Sequence, residues 1–385
     1  MGFGLGECGS DHSCAGIAGV EAGRQNRRHV PPLPFRVRPP CRRGPAGRPF
    51  GPAGCMSLRL TASGLAGEGA SLPQQLAALA DIVLRGLGQV MFQGNSYAGL
   101  LFLVGIAVNS LLFAAAALIG CIIATLTAIV LGADRAPVRA GLFGFNGALV
   151  GIALLYFLQP NPLTWVCVAL AAVCSTIAVA ALQSALRPVG LPALTAPFVL
   201  VSLCFFLAMA RFGRLESVGL LPTAGLPKTA QVEGVVTGGT IAEGLFTGVG
   251  QVFFQGNVVS GGLFLAGLFV SSRLAFAAAL AGSFAGLLVA WGMGAAEPAI
   301  RAGAFGFNSV LTAIALAGVA LAPGRASFCY ALLGAIITPF VAAAAAAALE
   351  PLGLPALTAP FVLVTWLLLL GARGFARVRG ALPPD

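Results

Sequence analysis

Apolar residues run through this chain in long blocks, not in the short alternations of a soluble fold. Leu100 to Val108, Leu111 to Leu131, Trp165 to Leu182, Phe328 to Leu349 and Phe361 to Leu370 are nearly continuous. About 20 apolar residues in one helix match a bilayer core of roughly 30 Å, so such runs predict membrane-spanning helices. The alternating segments of an outer-membrane barrel are not seen. In the first half the pattern predicts five spans, over 98–113, 115–132, 143–158, 163–185 and 193–211. Ahead of them, Leu76 to Val90 is shorter and runs into the polar stretch Gln89 to Asn95, which reads as a re-entrant pore helix stopping inside the membrane. Its partner is 239–252.

An internal repeat organises these elements. Gly88-Gln89-Val90-Met91-Phe92-Gln93-Gly94-Asn95 recurs as Gly250-Gln251-Val252-Phe253-Phe254-Gln255-Gly256-Asn257, 162 residues on. Arg139-Ala140-Gly141-Leu142-Phe143-Gly144-Phe145-Asn146 recurs at the same offset as Arg301-Ala302-Gly303-Ala304-Phe305-Gly306-Phe307-Asn308. Leu191 to Leu200, Leu-Pro-Ala-Leu-Thr-Ala-Pro-Phe-Val-Leu, recurs letter for letter from Leu354 to Leu363. The expected organisation is a first repeat over 75–212, a polar linker over 213–237 and a second repeat over 238–375. Five spans per half is an odd number, so the halves must be inverted relative to one another, with a pathway at their interface. The expected fold is therefore an all-α integral membrane protein of two inverted repeats, each with about five transmembrane helices and one re-entrant pore helix. With both termini cytoplasmic, Arg135, Arg139, Arg187, Arg273, Arg325, Arg373, Arg377 and Arg379 lie inside, and Arg211, Arg214, Lys228 and Arg301 outside, which follows the positive-inside bias.

Composition sharpens this picture. Hydrophobic residues make up 58% and charged residues 9%, with mean hydropathy +0.94, too little charge to cover a soluble surface. The net charge of +10 does not indicate a nucleic-acid partner, because half of it comes from residues 1–55, where eight arginines face only Glu7, Asp11 and Glu21. That stretch is rich in Pro, Gly and Cys and has neither apolar periodicity nor the apolar region of a secretory signal. It is expected to be a disordered tail or a mis-called start, with translation beginning at Met56; the intact mass of the natively expressed protein decides between the two. The histidines, His12 and His29, fall in the same stretch with Cys8, Cys14, Cys41 and Cys55, and no Cys-x-x-Cys pair occurs, so metals, cofactors and disulfides have no support. Glycines inside apolar runs, such as Gly99, Gly105, Gly261, Gly262 and Gly267, point to close helix packing.

Polar residues repeated in both halves at membrane depth mark a candidate pathway. Gln89 and Phe92, three apart, would share a helix face, as would Gln251 and Phe254; Phe145 and Leu149, four apart, are matched by Phe307 and Leu311. Core packing or lipid contact explains a lone phenylalanine, but not four in symmetric pairs beside glutamines. Pro197 and Pro360 lack an amide hydrogen, so a helix beginning before them leaves the carbonyls of Ala193 and Ala356 without partners. Thr195 and Thr358 add a hydroxyl at each broken start, either facing a pore or bonding their own backbone. Asp81 and Glu243 are the symmetric acids and are expected near helix N-termini, where a carboxylate is favourable. Asn146 and Asn308 fit a structural hydrogen bond and a pore contact equally well.

These three duplicated blocks resemble the urea transporter family, over about residues 75–375. The resemblance implies a homotrimer in a plasma or inner membrane, with a separate pore through each protomer. It implies Phe92, Phe145, Phe254 and Phe307 as slot residues, Gln89 and Gln251 as amide partners, Thr195 and Thr358 as central hydroxyls, and Leu149 and Leu311 as constriction neighbours. Some bacterial members carry glutamate where this chain has Gln251, a departure that leaves the filter uncharged here. The function implied is passive conduction of urea, with another small neutral solute (a short amide, ammonia or water) as the alternative. Ion coupling would want mid-membrane carboxylates or histidines. An ammonium channel would want pore histidines and an aquaporin-like pore paired Asn-Pro-Ala. An enzyme would want a nucleophile, base or metal motif. None of these is found in the sequence.

Overall fold

The computed structural model describes residues 71–209, 211–227, 231–378 and 380. The stretch 1–55, Met56, Lys228 and Arg379 lie outside them. Among the described residues there are fourteen α-helices, seven in each half in the same order. The first seven are α1 (Leu72–Gln89), α2 (Ser96–Asn109), α3 (Leu111–Val130), α4 (Arg135–Arg139), α5 (Gly144–Phe157), α6 (Pro162–Leu186) and α7 (Ala196–Met209). Their counterparts are α8 (Gly238–Gly250), α9 (Val258–Ser271), α10 (Arg273–Gly292), α11 (Glu297–Arg301), α12 (Phe307–Ile314), α13 (Arg325–Leu349) and α14 (Ala359–Ala372). A 3₁₀ turn over Gln251–Phe253 extends α8, and a π segment over Ala315–Val319 extends α12.

Helix lengths differ from an even set of 20-residue spans. Among the described residues α3, α6, α10 and α13 are long and apolar enough to cross a bilayer alone. By contrast α2, α5 and α7 have 14 residues each, which at 1.5 Å per residue is about 21 Å. The apolar run over 98–132 breaks at Ser110, earlier than its hydropathy suggests. Ser110 is extended (φ −155°, ψ 113°); its N–H closes α2 on Ile106 O at 2.8 Å, and its hydroxyl accepts from Phe113 N–H to open α3. Ser272 does the same between α9 and α10. In the second half α8 with its 3₁₀ turn meets α9 at a bend of 75°, the geometry of a re-entrant pair.

Contacts at the helix ends show the inversion. The linker residues Glu216 and Val218 hydrogen-bond to Gln159 and Phe157 at the end of α5, and Gly225 N–H reaches Glu350 O at the end of α13. The C-termini of α5 and α13 therefore share a side. A short loop, 158–161, turns the chain from α5 into α6, so the C-terminus of α6 lies on the opposite side, where Arg373 after α14 reaches Val189 O. Since α13 is the counterpart of α6, the two halves run oppositely.

The halves interlock through α2 and α9. Phe102, Phe253 and Phe264 form a fully buried aromatic cluster, and Ser260 Oγ donates to Gly105 O at 2.7 Å. Close approach accounts for Gly99, Gly105, Gly261 and Gly267, where an added Cβ would lie within 2.7 Å of a neighbouring helix or ring. Gly262 has nothing within 4 Å of that position. Glycine also permits close approach at the crossing of α3 and α5, where a Cβ on Gly120 would sit 2.2 Å from Gly147 O.

Gly120→Ala forces backbone apart and should cost about 1–3 kcal/mol, the usual penalty of overpacking. In detergent it should melt several degrees below wild type, whereas Gly262→Ala should melt at or above it. Equal melting of the two variants would contradict this packing.

Candidate functional site

The site begins with two helices that start inside the protein. Ala196 and Ala359, the first residues of α7 and α14, follow the duplicated Leu-Pro-Ala-Leu-Thr segments. The first N–H groups of a helix have no intrahelical partner and must find one when buried. In α7, Ala196 N–H bonds Ala193 O (3.2 Å), Pro197 has none to offer, Phe198 N–H bonds Asn146 Oδ1 (3.1 Å), and Val199 N–H bonds Thr195 O (3.0 Å). In α14 the equivalent bonds are Ala359 to Ala356 O (3.1 Å), Phe361 to Asn308 Oδ1 (3.3 Å) and Val362 to Thr358 O (3.1 Å). Every donor is satisfied without a threonine side chain.

This arrangement corrects one expectation. The helices begin at Ala196 and Ala359, so each proline sits in the first turn, where its missing N–H costs nothing. The carbonyls of Ala193 and Ala356 keep partners. It also assigns Asn146 and Asn308, both buried, a structural role. Besides capping, Asn146 Nδ2 donates to Leu194 O (3.4 Å) and Asn308 Nδ2 to Leu357 O (3.1 Å). Only one orientation of each amide satisfies both partners. Leu194 and Leu357 are left-handed, φ 51° and 50°, which an L-residue adopts at a cost of about 1–2 kcal/mol.

Relieved of capping, the threonine hydroxyls meet. Thr195 Oγ1 and Thr358 Oγ1 are 2.6 Å apart and buried, one from each half. Two turns further, Ser202 and Thr365 present buried hydroxyls with no hydrogen-bond partner, on the same helix faces by the i, i+7 spacing. The sequence reading missed this second equivalent pair; its signal was a polar residue at one offset in both halves.

The phenylalanines depart from the expected shared helix face. α1 ends at Gln89, and Phe92 lies beyond it with φ 62°; Phe254 has φ 61°. Gln93 N–H bonds Gly88 O (2.9 Å) and Phe92 N–H bonds Gln89 O (3.0 Å), the paired bonds of a helix terminator whose left-handed residue is normally glycine. The bonds of Gln255 to Gly250 and Phe254 to Gln251 repeat it. A phenylalanine held there twice is backbone strain kept at equivalent positions, as functional sites keep it. Each ring then packs on the opposite half: Phe92 edge-on to Phe361 (6.0 Å, 73°) and Phe254 to Phe198 (6.3 Å, 80°).

Gln89 and Gln251 anchor these turns to the second block. Gln89 Nε2 donates to Ala140 O and Gln251 Nε2 to Ala302 O, both at 2.9 Å. The following glycine, Gly141 or Gly303, has φ 77°, and a Cβ there would lie within 2.4 Å of Gly86 N or Gly248 N. Phe145 and Phe307 begin the next helices, partly exposed and without an aromatic ring against them, and Leu149 and Leu311 lie buried one turn on. Of the ten candidate residues, direct side-chain contact joins Thr195 and Thr358.

Charge stays at the periphery. Asp81 and Glu243 are not at helix N-termini, since α1 and α8 start at Leu72 and Gly238. Asp81 pairs with Arg85 (2.8 Å) and Glu243 with Arg301 (3.0 Å), all partly exposed. Glu297, at the same end as Glu243, accepts from Thr240 Oγ1 (2.5 Å) and Arg301 (2.7 Å), which hold its carboxyl below the usual range. A cavity of about 350 Å³ lined by Pro222, Thr223, Glu350 and Leu354 to Ala356 includes none of the ten candidates.

A family model described as "Urea transporter" matches residues 80–373. A protein named "Urea transporter 1" from Ovis aries is 33% identical over 302 residues, covering 77% of this chain and 78% of its own. Its namesake from Mus musculus is 32% identical over 295 residues, covering 75% and 76%.

Replacing Asn146 or Asn308 with alanine strands a buried N–H and removes a donor from a buried carbonyl, at about 1–3 kcal/mol for an unsatisfied group. Either change should lower the melting temperature more than Thr195→Val does; an equal or smaller loss would contradict the capping role.

Proposed function

The chain belongs to the urea transporter family, and from that membership we propose that it conducts urea passively down its gradient, through a neutral filter between its two halves. It is a multi-pass membrane transporter, not an enzyme. The observation that carries the channel reading is the meeting of Thr195 and Thr358 where two inverted helices begin inside the protein.

Urea is flat, small and neutral, with one carbonyl and two amino groups. In a hydroxyl pair one group donates to the other, leaving one proton and several lone pairs unspent. The pair can therefore give a hydrogen bond to urea's oxygen and accept from its N–H groups. Each exchange is worth about 1 kcal/mol net, so the solute is desolvated without being trapped. Phe92, Phe145, Phe254 and Phe307 are assigned to slots that admit a flat molecule and exclude a hydrated ion. Gln89 and Gln251 brace the slot turns and offer amide oxygens, and Leu149 and Leu311 narrow the path. α7 and α14 also bring two helix N-termini to the centre, each equivalent to roughly half a positive charge, which disfavours cations. The same reading includes repeats over 75–212 and 238–375 about a linker at 213–237, a homotrimer with one path per protomer, and cytoplasmic termini in a plasma or inner membrane.

Stopped-flow measurement on proteoliposomes should show rapid urea entry that is indifferent to ion gradients. Thr195→Phe or Thr358→Phe should abolish it in folded protein. No flux above empty liposomes would refute urea conduction and direct the search to another small neutral solute.

A further inference from the structure

All but two of the fourteen residues of α5 are buried; the exceptions are Phe145 near its start and Tyr156 near its end. Eleven residues are close to three full turns, so these side chains share one face about 16 Å apart along the axis. That face passes Leu149 between them. Tyr156 lies against Phe254, ring centroids 5.2 Å apart and tilted 46°, with Phe113 and Phe157 at 5.9 Å and 4.9 Å. α5 thus connects one slot residue to the neighbourhood of another. Its second-half counterpart keeps partial exposure at the two equivalent positions but not the chemistry, and adds an exposed Val319 where the first half has buried Phe157. There Phe307 and the residue equivalent to Tyr156, Gly318, are partly exposed, and Gly318 lies in the π segment Ala315–Val319. At this position one half carries a phenol and the other a glycine covered by Leu274, whose Cδ2 lies 2.5 Å from where a Cβ would be.

We propose that Tyr156 is a specificity-determining residue at the Phe254 end, its ring narrowing the approach to flat solutes and its hydroxyl exchanging hydrogen bonds with urea. This rests on the channel reading above. The partly exposed phenol takes up no protein hydrogen bond in the structure, which leaves it available to a passing solute. The asymmetry makes the Phe254 end the aromatic, selective entrance.

Urea and N,N′-dimethylurea fluxes are measured in matched liposomes for wild type, Tyr156→Phe and Tyr156→Gly. Tyr156→Phe should lower urea permeability roughly fivefold, the weight of one hydrogen bond, while still rejecting dimethylurea. Tyr156→Gly, which removes the ring from the Phe254 end, should raise the dimethylurea-to-urea ratio several-fold. Should Tyr156→Gly not fold, Tyr156→Cys should react with a water-soluble thiol reagent and lose urea flux relative to reagent-treated wild type. Wild-type conduction with both variants unchanged, or an unreactive Tyr156→Cys, overturns the inference about Tyr156 alone. A wild type that conducts no urea overturns the channel reading instead.

Discussion

A helix that starts inside a protein exposes backbone donors to a medium that cannot satisfy them, and the amides of Asn146 and Asn308 supply the missing acceptors. Much of the centre depends on those two side chains. By taking the Phe198 and Phe361 N–H groups they leave the threonine hydroxyls free to meet. By donating to Leu194 and Leu357 carbonyls they help hold two left-handed leucines that the entry into each helix requires. The backbone they fix also places Phe198 and Phe361, whose rings support Phe254 and Phe92 from the opposite half.

The repeat, the membrane class and the list of polar pairs were legible because they are properties of residue type and spacing. Local backbone was not. Gln-x-x-Phe has helical spacing, yet the helix stops at Gln89 and the phenylalanine occupies a position that glycine would normally announce. Ser110 splits an apolar run that hydropathy alone divides a few residues later, because a serine can close one helix and open the next. Asp81 looked like a residue near a helix start until α1 proved to begin nine residues earlier. Asn146 and Asn308 could not be assigned from sequence because their partners lie about fifty residues away, joined only by folding.

The two halves agree most closely where they touch and differ at their outer ends. The capping amides, left-handed residues, glutamine anchors and central hydroxyls are paired throughout. Arg85 answers to Thr247, Arg135 to Glu297 and Tyr156 to Gly318, so the two ends differ in charge and in aromatic cover. A neutral solute with a planar shape tolerates such ends, since hydrogen bonding and thickness at the centre decide its passage rather than long-range attraction.

The most direct test of a pathway past the paired threonines is a crystal soaked in selenourea, with selenium located by its anomalous scattering. The expected result is selenium density beside Thr195 and Thr358 and toward Phe92 and Phe254. Selenium confined to the surface groove at Pro222 and Glu350, with none between the halves, would contradict it.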